Sequence, residues 1–285
     1  MSEEKKTNAH PVMTDEQVYA ILNAGGMSAR DPAEHGDDDA GKDEAVLPGT
    51  EASKDHAAGA AEKNEETADG ISTEKSLADM SLSCFSQALS SDAPVPGGGG
   101  AAAFTAALAA SAGAMVGHLT VGRRRYAAVW EDMERLVSQL DGLRKDFLSM
   151  IDGDAKAFRP LAEAYAMPRA TFEEKEKRNA VMETCLAGAA QAPLELIRAL
   201  ADLVRALEEV AEKGSALAVS DAGVAASLAG AAMKSALLNV YANTKLMKDR
   251  RKAKAMNTEA SELVDEYAAR AEYVYGRVTE RLIDQ

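Results

Sequence analysis

The stretch that most restricts the fold is AAAFTAALAASAGAMVGHLTV at residues 101–121, which has no charged side chain and consists largely of alanine. Alanine is the strongest helix former, so this stretch predicts a helix with an unusually smooth surface. Its length also fits a membrane span, although Gly113 and His118 weaken that interpretation. A second stretch of small residues lies at 222–238. Two such helices can pack with their backbones close together, and we therefore predict that both belong to a soluble core and that no membrane is involved.

The rest of the sequence after residue 75 also follows the helical period. No segment alternates between apolar and polar residues over a useful length, and only 5% of the residues are aromatic. We predict an all-α fold, a bundle of about six helices. Thr171 begins one of them in a capping box with Glu174, and Ser220 is expected to cap another. The predicted helices cover residues 76–92, 101–121, 126–166, 171–214 with a kink or restart at Pro193, 220–248 and 258–280.

Acidic residues are concentrated at the N-terminus. Residues 1–75 contain 18 Asp and Glu against 7 Lys and Arg, whereas residues 76–285 contain 28 against 25. So much charge with few large apolar side chains does not offset the entropy of ordering. We predict a disordered acidic tail over 1–75 and one helical domain over 76–285. Within the tail, residues 14–24 form either a transient helix or a short docking helix. The nearly balanced domain argues against a nucleic-acid surface.

Cysteine and histidine usage limits the chemistry. Cys84 and Cys185 form no spaced motif, which excludes a disulfide framework and indicates a reducing, cytoplasmic setting. No apolar run follows the MSEEKK start, so we expect no signal peptide. His118 is the one histidine of the domain, and we therefore expect no metal site. Catalysis in the domain is left to carboxylates, amides, hydroxyls, Lys, Arg or backbone groups.

Asp154 is the candidate catalytic residue because of its position. Apolar residues repeat at helical spacing along one face of the predicted 126–166 helix, at Met133, Leu136, Leu140, Leu143, Phe147 and Met150, and again at Ala157 and Leu161. Asp154 lies between these two sets on the same face, whereas Asp152 points away. Burial raises the pKa of a carboxyl group towards the range that suits a general acid or base. A structural carboxylate, satisfied by a partner or by a helix end, is the alternative.

Several other groups are candidates for binding. Gly97–Gly100 precede a helix, where free N–H groups bind anions, although a hinge is the alternative. Asn239 and Asn243 follow a run of alanines on one helical face, and they either orient a heterocycle or bond between helices. Arg123–Arg125 either clamp carboxylates or stabilise a helix C-terminus. Asp221 suits the first turn of its helix, where the helix dipole favours a carboxylate.

The order of several motifs resembles one protein family. APVPGGGGAAAF, MVGHLTVGRRRY, DGDAKAF, KGSALAVSDAGVAA and LLNVYANTKLMKD occur in sequence between residues 76 and 285. Together they resemble the cyclodeaminase/cyclohydrolase family of folate enzymes. The resemblance implies an elongated helical fold that works as a homodimer, and we expect the small-residue helices to form its interface. Gly214-Ser215, where the cyclodeaminase branch has Gly-Asn, makes the chain more similar to stand-alone bacterial methenyltetrahydrofolate cyclohydrolases.

The resemblance also implies a reaction and a site. The reaction is reversible hydrolysis of 5,10-methenyltetrahydrofolate to 10-formyltetrahydrofolate, and cyclisation of 5-formiminotetrahydrofolate with loss of ammonia is the alternative. The folate is the substrate, and no permanently bound cofactor is implied. The D-x-x-A-F motif makes Asp154 the catalytic carboxylate. The residues assigned to substrate binding are Gly97, Gly98, Gly99, Gly100, Arg123, Arg124, Arg125, Tyr126, Asp221, Asn239 and Asn243. A non-catalytic helical scaffold whose tail recruits partners is the alternative of a different class.

Overall fold

The computed structural model describes residues 76–284, and the acidic segment 1–75 with its expected helix at 14–24 lies outside the described residues. The described part contains six α-helices and no strand, which confirms the predicted all-α bundle. The helices are α1 (Leu82–Leu89), α2 (Gly98–His118), α3 (Trp130–Ala166), α4 (Phe172–Lys213), α5 (Val219–Thr244) and α6 (Arg250–Ile283). Short 3-10 segments, Leu77–Asp79, Arg124–Val129 and Ala216–Ala218, precede α1, α3 and α5.

Helices α2 to α5 form an antiparallel ring of four, and α6 lies along α4 and α5. Short connections between consecutive helices favour this antiparallel order. The start of α2 and the end of α5 meet at one end of the ring, where Gly98 faces Asn239. At the opposite end the last turn of α2 meets Gly214, which follows α4. The two ends of α2 therefore define two ends of the bundle.

The core combines small residues on α2 and α5 with large ones on α3 and α4. Every buried residue of α2 is Gly, Ala or Val, whereas α3 and α4 supply Phe147, Leu140 and Leu207. A Cβ atom at Gly113 would lie 2.5 Å from Leu207 Cδ2, so the backbone of α2 lies directly against α4. The smooth helices thus let their neighbours approach closely, as the sequence predicts.

The buried small-residue faces pack inside one chain. Ala232 on α5 has no exposed surface, and α2 and α5 contact each other along their lengths. The expectation that these faces form the interface between two copies is therefore wrong for the buried sides of both helices. Both helices are long and apolar enough to cross a membrane, yet 61% of the most apolar part of α2 and 50% of that of Ala216–Thr244 are buried in the bundle.

Some helix boundaries differ from the predicted ones for local reasons. The predicted 76–92 helix is split, because Ser81 accepts a hydrogen bond from the Cys84 N–H (3.2 Å) and begins a separate helix. Helix α2 starts at Gly98 rather than Ala101, so the glycines form its first turn. Helix α3 begins at Trp130, because the residues from Arg124 onward are in a 3-10 segment.

The ends of α5 and α6 were also misplaced by the sequence pattern. Ser220 lies inside α5, whose N-cap is Ala218, so Ser220 is not the predicted cap. Helix α5 ends at Thr244, and α6 already begins at Arg250 because Asp249 accepts a hydrogen bond from the Lys252 N–H (2.9 Å). The capping box at Thr171 and the end of α4 before Gly214 agree with the prediction.

Pro193 does not restart its helix, since α4 is continuous through it. A proline lacks the N–H that would bond to the carbonyl four residues earlier, here Ala189. Asn243 on α5 supplies the missing donor, because its Nδ2 donates to the Ala189 carbonyl oxygen at 3.2 Å. A side chain of one helix thus satisfies a carbonyl that the proline leaves without a backbone partner.

We predict that Asn243→Ala destabilises the protein and that Pro193→Ala rescues it. The first change leaves the buried Ala189 carbonyl without a donor, which costs about 1–3 kcal/mol. The second restores a backbone N–H at position 193, so the double variant should lose less stability than Asn243→Ala alone. Urea unfolding of the two single variants and the double variant measures the coupling. Strictly additive effects would show that the amide of Asn243 does not replace the proline's missing donor.

Candidate active site

The apolar face of α3 leads directly to Asp154. Met133, Leu140 and Phe147 have no exposed surface, which confirms the face proposed from the sequence. Asp154 continues this face and places its partly buried carboxylate against the first turn of α2. The Gly100 N–H donates to Asp154 Oδ2 at 3.1 Å. The carboxylate therefore lies at the positive end of the α2 dipole.

Gly99 allows this approach because it has no side chain. A Cβ atom at Gly99 would overlap the Asp154 carboxylate, with Oδ2 only 2.6 Å away. At Gly98 the same atom would lie 3.4 Å from Asn239 Oδ1, which a small shift could accommodate. The glycine run therefore has at least one position at which any other residue would displace Asp154. Gly98–Gly100 form the first turn of α2, and Gly97 is its N-cap.

The protonation of Asp154 is set by burial. Loss of hydration raises the pKa of its carboxyl group above the ordinary value of 3.8, and the hydrogen bond from Gly100 opposes that rise. No Lys or Arg forms a salt bridge with Asp154 among residues 76–284. A carboxylate of raised pKa without a cationic partner can accept and return a proton.

Asp152 behaves differently from its neighbour on the same helix. It accepts hydrogen bonds from Ser76 Oγ (2.5 Å) and the Leu77 N–H (2.8 Å). Its carboxylate thus fastens the first described residues to α3 and is not free for chemistry. The prediction that Asp152 points away from the apolar face is confirmed, and its structural partner is new.

A cavity of about 150 Å³ opens beside Asp154, between α2, α3 and α4. Its lining residues are Gly99, Ala103, Met150, Gly153, Asp154, Ala192, Pro193, Glu195 and Leu196. Sites for drug-sized ligands usually measure about 300–1,000 Å³. The cavity is therefore large enough for part of such a ligand only.

Two residues that line this cavity were not identified as site residues by the sequence analysis. Glu195 contributes a second carboxylate to the lining, and Gln191 Nε2 donates to it at 3.2 Å. Gln191 and Glu195 are four residues apart, as are many exposed polar pairs along a helix, so the sequence alone does not identify them as site residues. Pro193 was noticed only as a helix breaker, although it lines the same cavity.

Asn239 and Asn243 lie at the same end of the bundle as Asp154. Asn239 Nδ2 donates to the Ser235 carbonyl (2.9 Å), while its Oδ1 faces the first turn of α2 near Gly98. Asn243 Nδ2 donates to the carbonyls of Ala189 and Asn239. Asn239 therefore presents an acceptor near the Asp154 region, whereas the amide donor of Asn243 is used to join helices.

The arginines lie at the other end of the bundle. Helix α2 runs for 21 residues from Gly98 to His118, which at 1.5 Å per residue is about 30 Å. Arg123–Arg125 follow its far end, are exposed, and form no salt bridge with any residue between 76 and 284. Asp221 lies in the first turn of α5 at this same end. One chain thus does not bring these predicted binding residues to Asp154.

Hydrogen bonds shape this arginine end. Tyr126 Oη accepts a bond from the Ala216 N–H (2.9 Å), and this bond is the main reason that the pKa of the phenol is lowered. Trp130 Nε1 donates to the Arg123 carbonyl at 3.2 Å. The Ser215 N–H donates to Thr120 Oγ1 at 2.8 Å, and both residues are fully buried. Sequence reasoning missed this link between α2 and the segment before α5.

Within residues 76–284 no three His, Cys, Asp or Glu side chains gather in a way that could hold a metal ion. The polar side chains that the described part brings to this end of the bundle include the Asp154 and Glu195 carboxylates and the Asn239 amide, whereas the exposed arginines lie at the other end.

Comparisons with known proteins find a matching family and several relatives. The family model described as formiminotransferase-cyclodeaminase matches residues 81–262. A methenyltetrahydrofolate cyclohydrolase of Methylorubrum extorquens is 38% identical over 201 residues, which are 70% of this chain and 97% of the relative. The formimidoyltransferase-cyclodeaminase of Mus musculus is 35% identical over 128 residues, 45% of this chain and 24% of that longer protein.

A solved structure has the same fold. The crystal structure of formiminotetrahydrofolate cyclodeaminase from Thermotoga maritima superposes with a TM-score of 0.62 at 29% identity, covering 72% of this chain and 97% of the other. The match extends over nearly the whole of both the solved chain and the Methylorubrum relative, whereas the chain spans about a quarter of the mouse protein.

We predict that Asp154→Asn is more stable than the wild type at pH 7 and that the difference disappears near pH 4. Because the folded-state pKa is raised, folding favours the protonated carboxyl. The protonated carboxyl group therefore stabilises the folded protein fully when the pH is below the pKa of Asp154 in the unfolded chain. This stabilisation is lost as the pH rises through the pKa of Asp154 in the folded protein. The amide of the Asp154→Asn variant does not ionise, so the variant avoids this loss of stability. Urea unfolding of both proteins between pH 4 and 8 measures the difference in their free energies of unfolding.

Asp146→Asn is the matched control, because Asp146 is an exposed carboxylate on the same helix. Its stability relative to the wild type should change little with pH. If the wild type instead gained stability over Asp154→Asn between pH 4 and 8, favourable charge interactions would hold the Asp154 carboxylate, contrary to the role of burial described above.

Proposed function

The chain belongs to the formiminotransferase-cyclodeaminase family, and from this membership we propose that it is a folate one-carbon enzyme that reversibly hydrolyses 5,10-methenyltetrahydrofolate to 10-formyltetrahydrofolate. The observation that carries the proposal is the partly buried Asp154 carboxylate, held at the start of α2 with no cationic partner among residues 76–284. The likeness to the stand-alone Methylorubrum cyclohydrolase supports it over nearly that protein's full length.

The chemistry needs a group that accepts and returns a proton. The methenyl carbon is part of an electrophilic amidinium cation, to which water adds. Asp154 accepts a proton from the attacking water as the C–O bond forms. Asp154 then returns this proton to N5 as the bond from the carbon to N5 breaks, and the hydroxyl proton of the intermediate passes to solvent as the formyl C=O forms on N10. One carboxylate of raised pKa serves both transfers, and we propose that no resident cofactor takes part.

The second candidate is the cyclodeaminase reaction, in which 5-formiminotetrahydrofolate closes to the methenyl compound and releases ammonia. The structural likeness to the Thermotoga cyclodeaminase favours it. Both reactions share the methenyl compound, so the same carboxylate and cavity can serve either. Ser215, where the cyclodeaminase branch has Asn, supports the hydrolase as the first choice.

We predict that the purified protein turns over methenyltetrahydrofolate and that Asp154→Asn lowers kcat at least about 100-fold, since general acid-base catalysis typically contributes that much. Absorbance of the methenyl form follows this substrate and 5-formiminotetrahydrofolate in parallel assays. Asp146→Asn should stay within about twofold of the wild type. The acid limb of the wild-type pH profile should lie above pH 3.8, because Asp154 must be ionised and its pKa is raised.

Three other results of these assays would change the proposal. Near-normal turnover by Asp154→Asn would remove Asp154 from the reaction. Faster turnover of the formimino substrate would make the cyclodeaminase reaction the main activity. No turnover of either substrate by the wild type would reject the proposed function itself.

We propose that the working form is a homodimer that joins through the exposed sides of α2 and α5. These two helices contain only two charged residues, Asp221 and Lys234. Their exposed sides nevertheless carry Leu108, Met115 and Leu238, which are 43%, 50% and 68% exposed. Burial of such surface stabilises an interface. The side that we assign to the interface is thus opposite to the buried small-residue face.

A homodimer would also complete the site. The cavity beside Asp154 holds only part of a folate, and the arginines lie about 30 Å away along α2. If the two α5 helices run antiparallel, the arginine end of one copy approaches the Asp154 end of the other. Arg123–Arg125, Tyr126 and Asp221 would then bind substrate from the second copy. We further propose a cytoplasmic location, with neither nucleic acid nor membrane as a partner.

We predict that the wild type has twice the chain mass in light scattering and that Leu238→Glu is monomeric and has little activity. The buried carboxylate would oppose association, because its hydration is lost. Phe172→Glu is the control, since Phe172 is 81% exposed but lies at the start of α4, outside this surface. A monomeric wild type with full activity would overturn the dimer and the shared site together.

A further inference from the structure

The proposed hydrolysis releases one proton in each turnover. A methenyl cation and a water molecule give a neutral formyl compound, so one of the two water protons must leave. Asp154 takes the first of these protons from the attacking water and returns it to N5, and it therefore ends the cycle ionised. The second proton is that of the hydroxyl group in the intermediate. It starts in the cavity beside Asp154 and must reach bulk water.

The wall of this cavity offers one further group that can carry the second proton. Among the described residues that line it, Asp154 and Glu195 are the only two with ionisable side chains. The other lining residues are Gly, Ala, Pro, Leu and Met, none of which accepts a proton. Asp154 holds the first proton while the intermediate exists. Glu195 is therefore the remaining acceptor in the wall.

The position of Glu195 suits exchange with solvent. Its side chain is exposed although it lines the cavity, whereas Asp154 is partly buried. Gln191 Nε2 donates to Glu195 Oε1 at 3.2 Å, which leaves the second carboxylate oxygen available. No Lys or Arg among residues 76–284 forms a salt bridge with Glu195, and Arg198, which follows it on α4, pairs with Glu259. One carboxylate thus contacts both the cavity and the surrounding water.

We propose that Glu195 is a proton relay, which accepts the hydroxyl proton of the intermediate and passes it to bulk water. This proposal rests on the proposed function, because the proton to be moved is a product of the hydrolysis. As the O–H bond breaks, its electron pair forms the formyl C=O. The electrons of the bond from the carbon to N5 go to N5, which is protonated by Asp154. Glu195 then loses its proton to water and is ionised again.

The two carboxylates therefore have separate tasks. Asp154 exchanges its proton with the substrate inside the cavity, and Glu195 exchanges its proton with the solvent. In the reverse reaction Glu195 brings a proton in, so its loss should slow both directions equally and leave the equilibrium unchanged. A small proton carrier that diffuses into the cavity can replace a relay. It cannot replace a residue that only shapes the cavity.

The test measures hydrolysis of methenyltetrahydrofolate in weakly buffered solution near pH 7, with the rate without enzyme subtracted. Glu195→Gln keeps the length of the side chain and can still bond with Gln191, but it cannot take up a proton. It should lower kcat at least about tenfold and leave KM within about twofold of the wild type. Added imidazole, which carries protons near this pH, should restore most of the kcat of the variant and leave the wild type unchanged.

Two variants serve as controls. Glu195→Asp retains a carboxylate and should keep most of the activity without imidazole. Glu176→Gln removes an exposed carboxylate of the same helix that also accepts from a side-chain amide, Asn179 Nδ2 at 3.5 Å, and should behave like the wild type.

The possible failures are distinguishable. A wild type that does not turn over the substrate would reject the proposed function, and the relay with it. An active wild type together with an unchanged kcat of Glu195→Gln in weak buffer would overturn the relay alone. A loss of kcat that imidazole does not restore, or a change confined to KM, would also overturn it, because Glu195 would then act on structure or binding.

Discussion

The shape of the bundle depends on how closely α2 lets its neighbours approach. Its buried side has no residue larger than valine, and at Gly99, Gly113 and Gly117 an added Cβ atom would meet Asp154, Leu207 and Val137. Close-packed interiors tolerate little added volume, so these contacts fix the spacing of α3 and α4 around α2. The same closeness that builds the core also brings a carboxylate onto a helix start. The packing of the core and the position of the Asp154 carboxylate therefore both depend on the small residues of α2.

That arrangement places two opposing influences on Asp154. Burial disfavours the ionised carboxylate, while the Gly100 N–H and the positive end of α2 favour it. A carboxylate neutralised by a lysine or arginine would be a weak base, and one left in water would have an ordinary pKa. The balance between desolvation and the Gly100 N–H gives a carboxyl group of raised pKa, which suits the proton transfers that we propose for Asp154.

The sequence was sufficient for the all-α fold and for the position of Asp154 on the apolar face of α3, because both follow from a regular spacing of residues along a helix. It failed where two distant segments meet. Pro193 was expected to interrupt its helix, and only the position of Asn243 on α5 explains why it does not. Arg123–Arg125 were grouped with Asp154, but the length of α2 separates them. Residue spacing defines faces within a helix, whereas the distance between sites depends on how the helices run relative to one another.

The position of Trp130 has a practical consequence for anyone who studies the protein in solution. It is the one tryptophan of the chain, and its indole donates to the Arg123 carbonyl at the arginine end of the bundle. Indole emission excited at long wavelength therefore comes from a single known place. It reports on events around the arginines, including the arrival of a second chain or an anionic ligand, whereas Asp154 of the same chain lies about 36 Å away along α3. The protein thus contains a natural optical probe of one end of its bundle.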